Sequence, residues 1–433
     1  MELHNPRLNA IVTIAHEEAI ERARAADDAL RRGELWGPLH GVPITIKDCF
    51  EISGVRTTAG STSLKDHVPE NDAVAVARLR AAGAVILGHT NVPFMAGDWQ
   101  SYNEVFGTTN NPWDLERTPG GSTGGGAAAL AAGLSYLSLG SDIGGSIRIP
   151  AHFCGVYGHK PTVNIVPFRG HIPKSLYSRQ ILWVAGPLAR SAEDLKKAME
   201  VLWGHEEEGK ASEWSLPQPR RKNLSGYRLG YVLDHPVCPV SSEVKEVITA
   251  AVEALRGRVD VLEEGWPPRV DPLEQYNAYR ILISPLLMRT VEDDEYEKRK
   301  QALKQDEEFK AANEARTTAC KVWKEYFETH DAFLLPTCFL PAFPHVHSRP
   351  LRERVLSTPE GDRPYMDMHF WISFASFAGL PATIAPVGLT KGGLPVDIQI
   401  LGPYMEDATP IDLAAKISKV VGGFRPPSGY SAS

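Results

Sequence analysis

Cysteine is scarce and unpatterned in this chain. Cys49, Cys154, Cys238, Cys320 and Cys338 are odd in number and show no CxxC spacing. That argues against a disulfide framework and signals no zinc site. No basic block argues for nucleic acid, and the formal net charge is −7. Long hydrophobic runs are missing too. The longest weakly polar stretch, Gly124 to Gly140, is made of residues too small and polar for a membrane span. The N-terminus, MELHNPRLNAIV, lacks a charged start followed by an apolar run, so no signal peptide is expected and a cytoplasmic setting is the default.

What remains is the composition of a soluble globular protein: 433 residues, 43% hydrophobic and 23% charged. Periodicity predicts alternating helices and strands. A helix spans 17–32, and GVPITIKD feeds a buried strand from Val42 to Ile46. Asp72 is expected to N-cap a helix that Gly83 stops, with Ala84 to Leu87 as the next strand. A helix over 126–132 and a strand over 134–139 follow the glycine-rich segment. Ser191 is expected to cap a helix from Glu193 to Leu202. Further on come strand RLGYVL, helix EVKEVITAAVEALRG, strand VDVL, a solvated helical pair over 292–329, strand 333–335, helix 371–378, and strands 382–385 and 396–401. The alternation predicts an α/β sandwich with helices on both faces. One domain over 1–433 is expected, with a polar excursion at about 203–225.

The segment with the most chemistry is TPGGSTGGGAAALAAGLSYLSLGSDIGGSIRIPAHFCGVYGHKPT, from Thr118 to Thr162. Ser122 sits in GGSTGG and Ser146 in DIGGSIR. Glycine neighbours let the backbone turn sharply and approach a substrate closely. The N–H groups of Ile143, Gly144, Gly145 and Ser146 could converge on an oxyanion. Lys47 ends the apolar strand, where desolvation lowers an amine's pKa and lets the neutral form act as base. Two hydroxyls and an amine can relay a proton, which is the equipment of a serine hydrolase with lysine in place of histidine. Other readings stay open on these residues alone. GGSTGG could cradle a phosphate at a helix start, although no GK[ST] follows, and Asp142 falls about where a dinucleotide fold would carry its acid.

These residues together resemble the amidase signature family, the Ser–cis-Ser–Lys hydrolases. The likeness rests on Gly120–Gly125, Gly140–Pro150, Cys154–Gly155, Gly158–Thr162 and GVPITIKD. It extends through TNVPFMAGDWQSYNEVFGTTNNPWD, GPLARSAEDL and AGLPATIAPVG…GLPVDIQILGP, and so covers most of the chain. The resemblance implies a three-layer α/β/α sandwich around a mixed central sheet. It implies Ser146 as nucleophile, Ser122 as the cis serine, Lys47 as base and the backbone from Ile143 to Ser146 as oxyanion hole, with Asp142 and Arg148 in support and no metal or organic cofactor. Thr123 departs from the family pattern, which has a second serine there; a stiffer β-branch follows. The chain also begins close to NPRLNA, where many relatives carry a helical lead.

An apolar or aromatic substrate site is expected from Met95, Trp99 and Tyr102 and from Leu176, Tyr177 and Trp183. The primary expectation is hydrolysis of aryl or alkyl amides, extending to esters and carbamates (urethanes), by a monomer or homodimer that binds neither nucleic acid nor membrane. The alternative is the glutaminase-like component of a tRNA-dependent amidotransferase, although that component's usual glutamine-site segment is not found in the later half. A non-catalytic protein on a hydrolase scaffold is a third reading, opposed by the presence of all three reactive residues.

Overall fold

The computed structural model describes residues 1–173, 181–205, 214–284, 302–303 and 305–430. Its centre is one mixed sheet of eleven strands. In chain order these are β1 (Ile11–Ile14), β2 (Pro43–Lys47), β3 (Val85–Thr90), β4 (Leu137–Asp142), β5 (Tyr157–Lys160) and β6 (Val184–Ala189), then β7 (Arg228–Tyr231), β8 (Val261–Glu264), β9 (Ala332–Pro336), β10 (Ala382–Leu389) and β11 (Pro395–Leu401). In space they run β1-β3-β2-β4-β6-β5-β10-β11-β9-β7-β8. The last two strands of the sequence therefore lie between early and middle ones, and one sheet draws on both halves of the chain.

Helices cover both faces. They are α1 (His16–Arg31), α2 (Val74–Ala81), α3 (Gly124–Ala131), α4 (Arg148–Cys154), α5 (Ala192–Leu202), α6 (Ser242–Glu253), α7 (Pro272–Ile283), α8 (Glu307–Thr329), α9 (His369–Phe377) and α10 (Ala408–Val421). Strand side chains alternate between faces. On β6, Leu188 joins the small-residue cluster of α3 and α4, whereas Ala185 and Ala189 join the larger core that includes Leu195 and Leu202 of α5. This is the three-layer α/β fold that the resemblance implies.

Two arrangements position the site. β2 pairs in parallel with both β3 and β4, so Lys47 and Asp142 emerge at the same, carboxyl edge of the sheet. Parallel strands are covered on both faces, and Ile44, Thr45, Ile46 and Lys47 are all buried accordingly. Helix α3 is built almost wholly of glycine and alanine because it is enclosed. A Cβ on Gly125 would stand 2.5 Å from the Asn91 backbone nitrogen.

Several sequence expectations need correction. Asp72 does not cap α2. Its carboxylate accepts from the Ser53 N–H and pairs with Arg80, and α2 begins after Ala73 without a side-chain cap. β4 lies three residues later than expected, because Gly133 adopts a left-handed turn after α3 and Leu134 closes that turn on Ala129. The strand at 259–262 is likewise displaced to Val261–Glu264. Ser191 does cap α5, accepting from the Asp194 N–H at 3.0 Å. The expected helical pair at 292–329 is described only in part, as α8; residues 285–301 and 304 lie outside the described residues. So do 206–213 of the polar excursion. Its described remainder is tied to the body by Arg220, which pairs with Glu406, and by Arg221, which pairs with Asp331.

Candidate active site

Lys47 is fully buried at the end of β2. Its Nζ lies 2.6 Å from Ser122 Oγ, 2.9 Å from Ser141 Oγ and 3.3 Å from the Ser141 carbonyl oxygen. Burial disfavours the ammonium and lowers its pKa to about 8, against weaker opposing pulls from Cys49 and Asp142. Cys49, two residues on, is buried too, and burial pushes its thiol up to about 12. It is therefore an inert packing residue at neutral pH.

Ser122 follows a cis Gly121–Ser122 peptide bond. Its hydroxyl has one side-chain partner among the described residues, Lys47. Ser146 lines a cavity, and its Oγ makes no hydrogen bond with the described residues. The two serine loops lie side by side, because the Thr123 N–H donates to the Ser146 carbonyl at 3.1 Å. The structure thus joins Lys47 to Ser122 and sets Ser146 alongside, without a Ser122–Ser146 hydrogen bond.

The loop from Ile143 to Ser146 is held by its carbonyls. That of Ile143 accepts from the Tyr279 hydroxyl (3.3 Å), Gly144 from Trp99 Nε1 (2.7 Å) and Gly145 from the Ile149 N–H (2.7 Å). With every carbonyl tied back, the N–H groups of Ile143, Gly144 and Ser146 stay without partners among the described residues. The Gly145 N–H is different. It donates to Asp142 Oδ1 at 2.9 Å, because Gly145 turns through φ +92°. Gly145 therefore leaves the expected set of oxyanion donors and serves to fix the loop.

Asp142 is the hub of that fixation. It accepts from the N–H groups of Gly145 and Ile147 and from the fully buried Arg148 guanidinium. Burial alone would raise its pKa, but Arg148 and the backbone donors hold it down to about 2. Arg148 also donates to the Ile372 carbonyl, Ser376 Oγ and Gln399 Oε1, and so anchors the loop to α9 and β11. Thr123 Oγ1 is buried and makes no hydrogen bond with the described residues.

A small cavity, partly open to solvent, lies above Ser146. Trp99, Ile143, Leu351 and Met366 supply apolar walls. Its two ionisable lining residues carry no free charge. Asp98 is engaged by Arg354 and by the hydroxyls of Tyr102 and Tyr365. Burial lowers the pKa of His369 to about 3 and leaves it neutral.

Of the expected pocket residues that the structure describes, only Trp99 lines this cavity. Met95 packs with Cys49, Ala59, Val92 and Ile172 in a small core. Tyr102 stacks on His347 and bonds to Asp98 and Arg354. Trp183 packs edge-on against Phe168 and His171, behind the lysine. Leu176 and Tyr177 lie outside the described residues. Sequence reasoning missed Leu351, Met366 and His369, which arrive from more than 200 residues away. It also missed Ser141, whose place directly before Asp142 in the GSDIGGS motif was a usable signal, and His171, for which no local signal exists.

The profile of the Amidase family matches residues 1–294 and 290–410. This chain belongs to the amidase signature family. A relative from Nitratidesulfovibrio vulgaris, named as a glutamyl-tRNA(Gln) amidotransferase subunit, is 33% identical and covers 99% of this chain and 93% of its own. One of the same name from Moorella thermoacetica is 33% identical over 96% of this chain and 90% of its own. The solved structure of a bacterial aryl acylamidase of the amidase signature family superposes with a TM-score of 0.80 at 26% identity, over 97% of this chain and 91% of that one. Among the described residues, no helix of this amidase is long and apolar enough to cross a membrane.

Proposed function

We propose that this amidase hydrolyses the C–N bond of a small amide through an acyl-enzyme on Ser146. The observation that carries the reading is the buried Lys47 Nζ at 2.6 Å from Ser122 Oγ. A neutral amine in that place can take the Ser122 proton as Ser122 takes that of Ser146. Ser146 Oγ then bonds to the carbonyl carbon. The N–H groups of Ile143, Gly144 and Ser146 face the resulting oxyanion. As the C–N bond breaks, the departing amine takes its proton from Ser122, which is resupplied by Lys47. Water repeats the sequence on the ester and frees the acid. The Ser122–Ser146 bond forms when Ser146 turns toward the substrate, a tightening that free enzymes commonly leave to the bound complex. Because the site draws on strands from both halves of the sheet, we read residues 1–433 as one domain.

Two finer readings divide the observations. Both relatives named above are components of an amidotransferase, which favours the glutaminase-like component, working with partner proteins, over the free-standing amidase. Against this, the cavity walls are apolar and their described ionisable groups are paired or neutral. That favours an aryl or alkyl amide over free glutamine, whose charged backbone groups need partners. On the weight of the relatives, the amidotransferase reading is the stronger of the two. The purified chain is to be assayed with glutamine, anilides, aliphatic amides, esters and carbamates. Turnover of glutamine with no turnover of anilides supports the amidotransferase component. Full activity on anilides or carbamates by the isolated chain overturns it in favour of the free-standing amidase.

A further inference from the structure

His171 is buried at 0% exposure, and its Nε2 lies 2.9 Å from Ser141 Oγ, the same hydroxyl that touches Lys47. Its ring is clamped between the stacked Phe168, at 4.3 Å between centroids, and the edge-on Phe50 and Trp183. It is thus at the far end of a buried chain, His171–Ser141–Lys47–Ser122.

The direction of hydrogen bonding along this chain decides whether Lys47 can work. A neutral amine has two N–H donors and one lone pair. The Ser141 carbonyl can only accept, so it takes one N–H. If the second N–H goes to Ser141 Oγ, the lone pair is left for the Ser122 proton. If instead the Ser141 O–H points at Nζ, it occupies the lone pair, and Lys47 faces Ser122 with a donor. The choice rests with the ring. An unprotonated Nε2 draws the Ser141 O–H toward itself; a protonated Nε2 pushes it toward Lys47.

We propose that His171, as its Nδ1–H tautomer, accepts the Ser141 hydroxyl proton at Nε2 and so aims the lone pair of Lys47 at Ser122. This rests on the acyl-enzyme reading and makes His171 a positioning residue. Two observations support it. Burial first, and then the neighbouring Lys47, drive the His171 pKa well below its ordinary value, so the ring is neutral. Nε2 lies 2.9 Å from Ser141 Oγ, so in a neutral ring that accepts there the proton sits on Nδ1. Nδ1 has no hydrogen-bond partner among the described residues, so the contact with Ser141 is the ring's one hydrogen bond among them. The other ionisable groups acting on this chain of contacts are Cys49 and Asp142, both through Lys47.

The test reads the rate of Ser146 phosphonylation by a fluorophosphonate across pH, in the wild type, His171→Leu and His171→Gln. The leucine variant removes the acceptor and is expected to slow the maximal rate by about 10-fold or more. The glutamine variant, whose Oε1 can accept from Ser141, is expected to recover most of that loss, and probe affinity is unchanged in both. Equal rates in the two variants, or a loss confined to probe affinity, overturn the proposal. Nitrogen NMR of the wild type, selectively labelled at histidine, is independent of variant folding: a protonated Nε2 on His171 also overturns it. Lys47→Ala separates the two levels. Wild-type phosphonylation in that variant sinks Lys47 as the base through which the acyl-enzyme reading works. With Lys47→Ala inactive, matching leucine and glutamine variants sink the role of His171 alone.

Discussion

Trp99 Nε1 donates to the Gly144 carbonyl at 2.7 Å, so a wall of the cavity over Ser146 is also a strut of the loop beneath it. The ring is further held by Tyr365 and by His369, 4.4 Å away between centroids. Trp99→Phe keeps that packing and deletes the strut. The expected result is a drop in acylation rate of about 10-fold, since misaligned oxyanion donors lose much of their effect. Burst kinetics checks the rate and circular dichroism checks the fold.

Proton traffic through Lys47 gives a pH profile. Below about pH 8 the amine is protonated and has no lone pair, so acylation is expected to rise as pH climbs through that value and then level off. A profile flat from neutral to mildly alkaline pH removes Lys47 as base. Stability carries the same signature. The unfolded amine titrates near 10.5 and the folded one near 8, so between these values the unfolded chain binds more protons and the fold gains stability as pH rises.

The buried Asp142–Arg148 pair is expected to be intolerant of half-removal. Arg148→Met leaves a carboxylate enclosed without its counter-charge, at a cost of about 3–5 kcal/mol in urea unfolding. In the wild type the folded carboxyl titrates near 2 and the ordinary value is 3.8. Its contribution is therefore complete above pH 3.8 and disappears as pH falls toward 2.

Thr123 yields a contrary expectation. Its hydroxyl is buried and unpartnered among the described residues, and its methyl packs beside Gly126 and Gly140. Thr123→Val exchanges an unsatisfied oxygen for a methyl of the same shape and should stabilise the protein by about 1 kcal/mol while leaving activity intact. A loss of activity would show that the hydroxyl is used during turnover.

How much of this was legible in the sequence depended on whether the cause was local. The α/β alternation, the cap at Ser191 and the lysine strand are local patterns, and they read correctly. The meeting of Lys47 with Ser122 was readable through the family motif, although no single residue there carries it. The cavity was mostly illegible. Leu351, Met366 and His369 come from segments with no pattern of their own, and Met95 was misjudged because its neighbours in sequence line the cavity while its own side chain packs with Cys49, Ala59, Val92 and Ile172. The Gly145 donor was miscounted because a run of N–H groups in sequence does not say which of them a nearby carboxylate will occupy.

The reach of Arg148 into α9 and β11 has a consequence for how this protein can be made and broken. Lys47, Ser122 and Ser146, the side chains proposed to react, lie within the first 146 residues, yet the clasp that sets their loop closes on Ile372, Ser376 and Gln399. A fragment ending after the serine motif would carry all the reagents of the chemistry and have nothing to press them together. Nascent chains should accordingly stay inert until nearly the last strand has been threaded home.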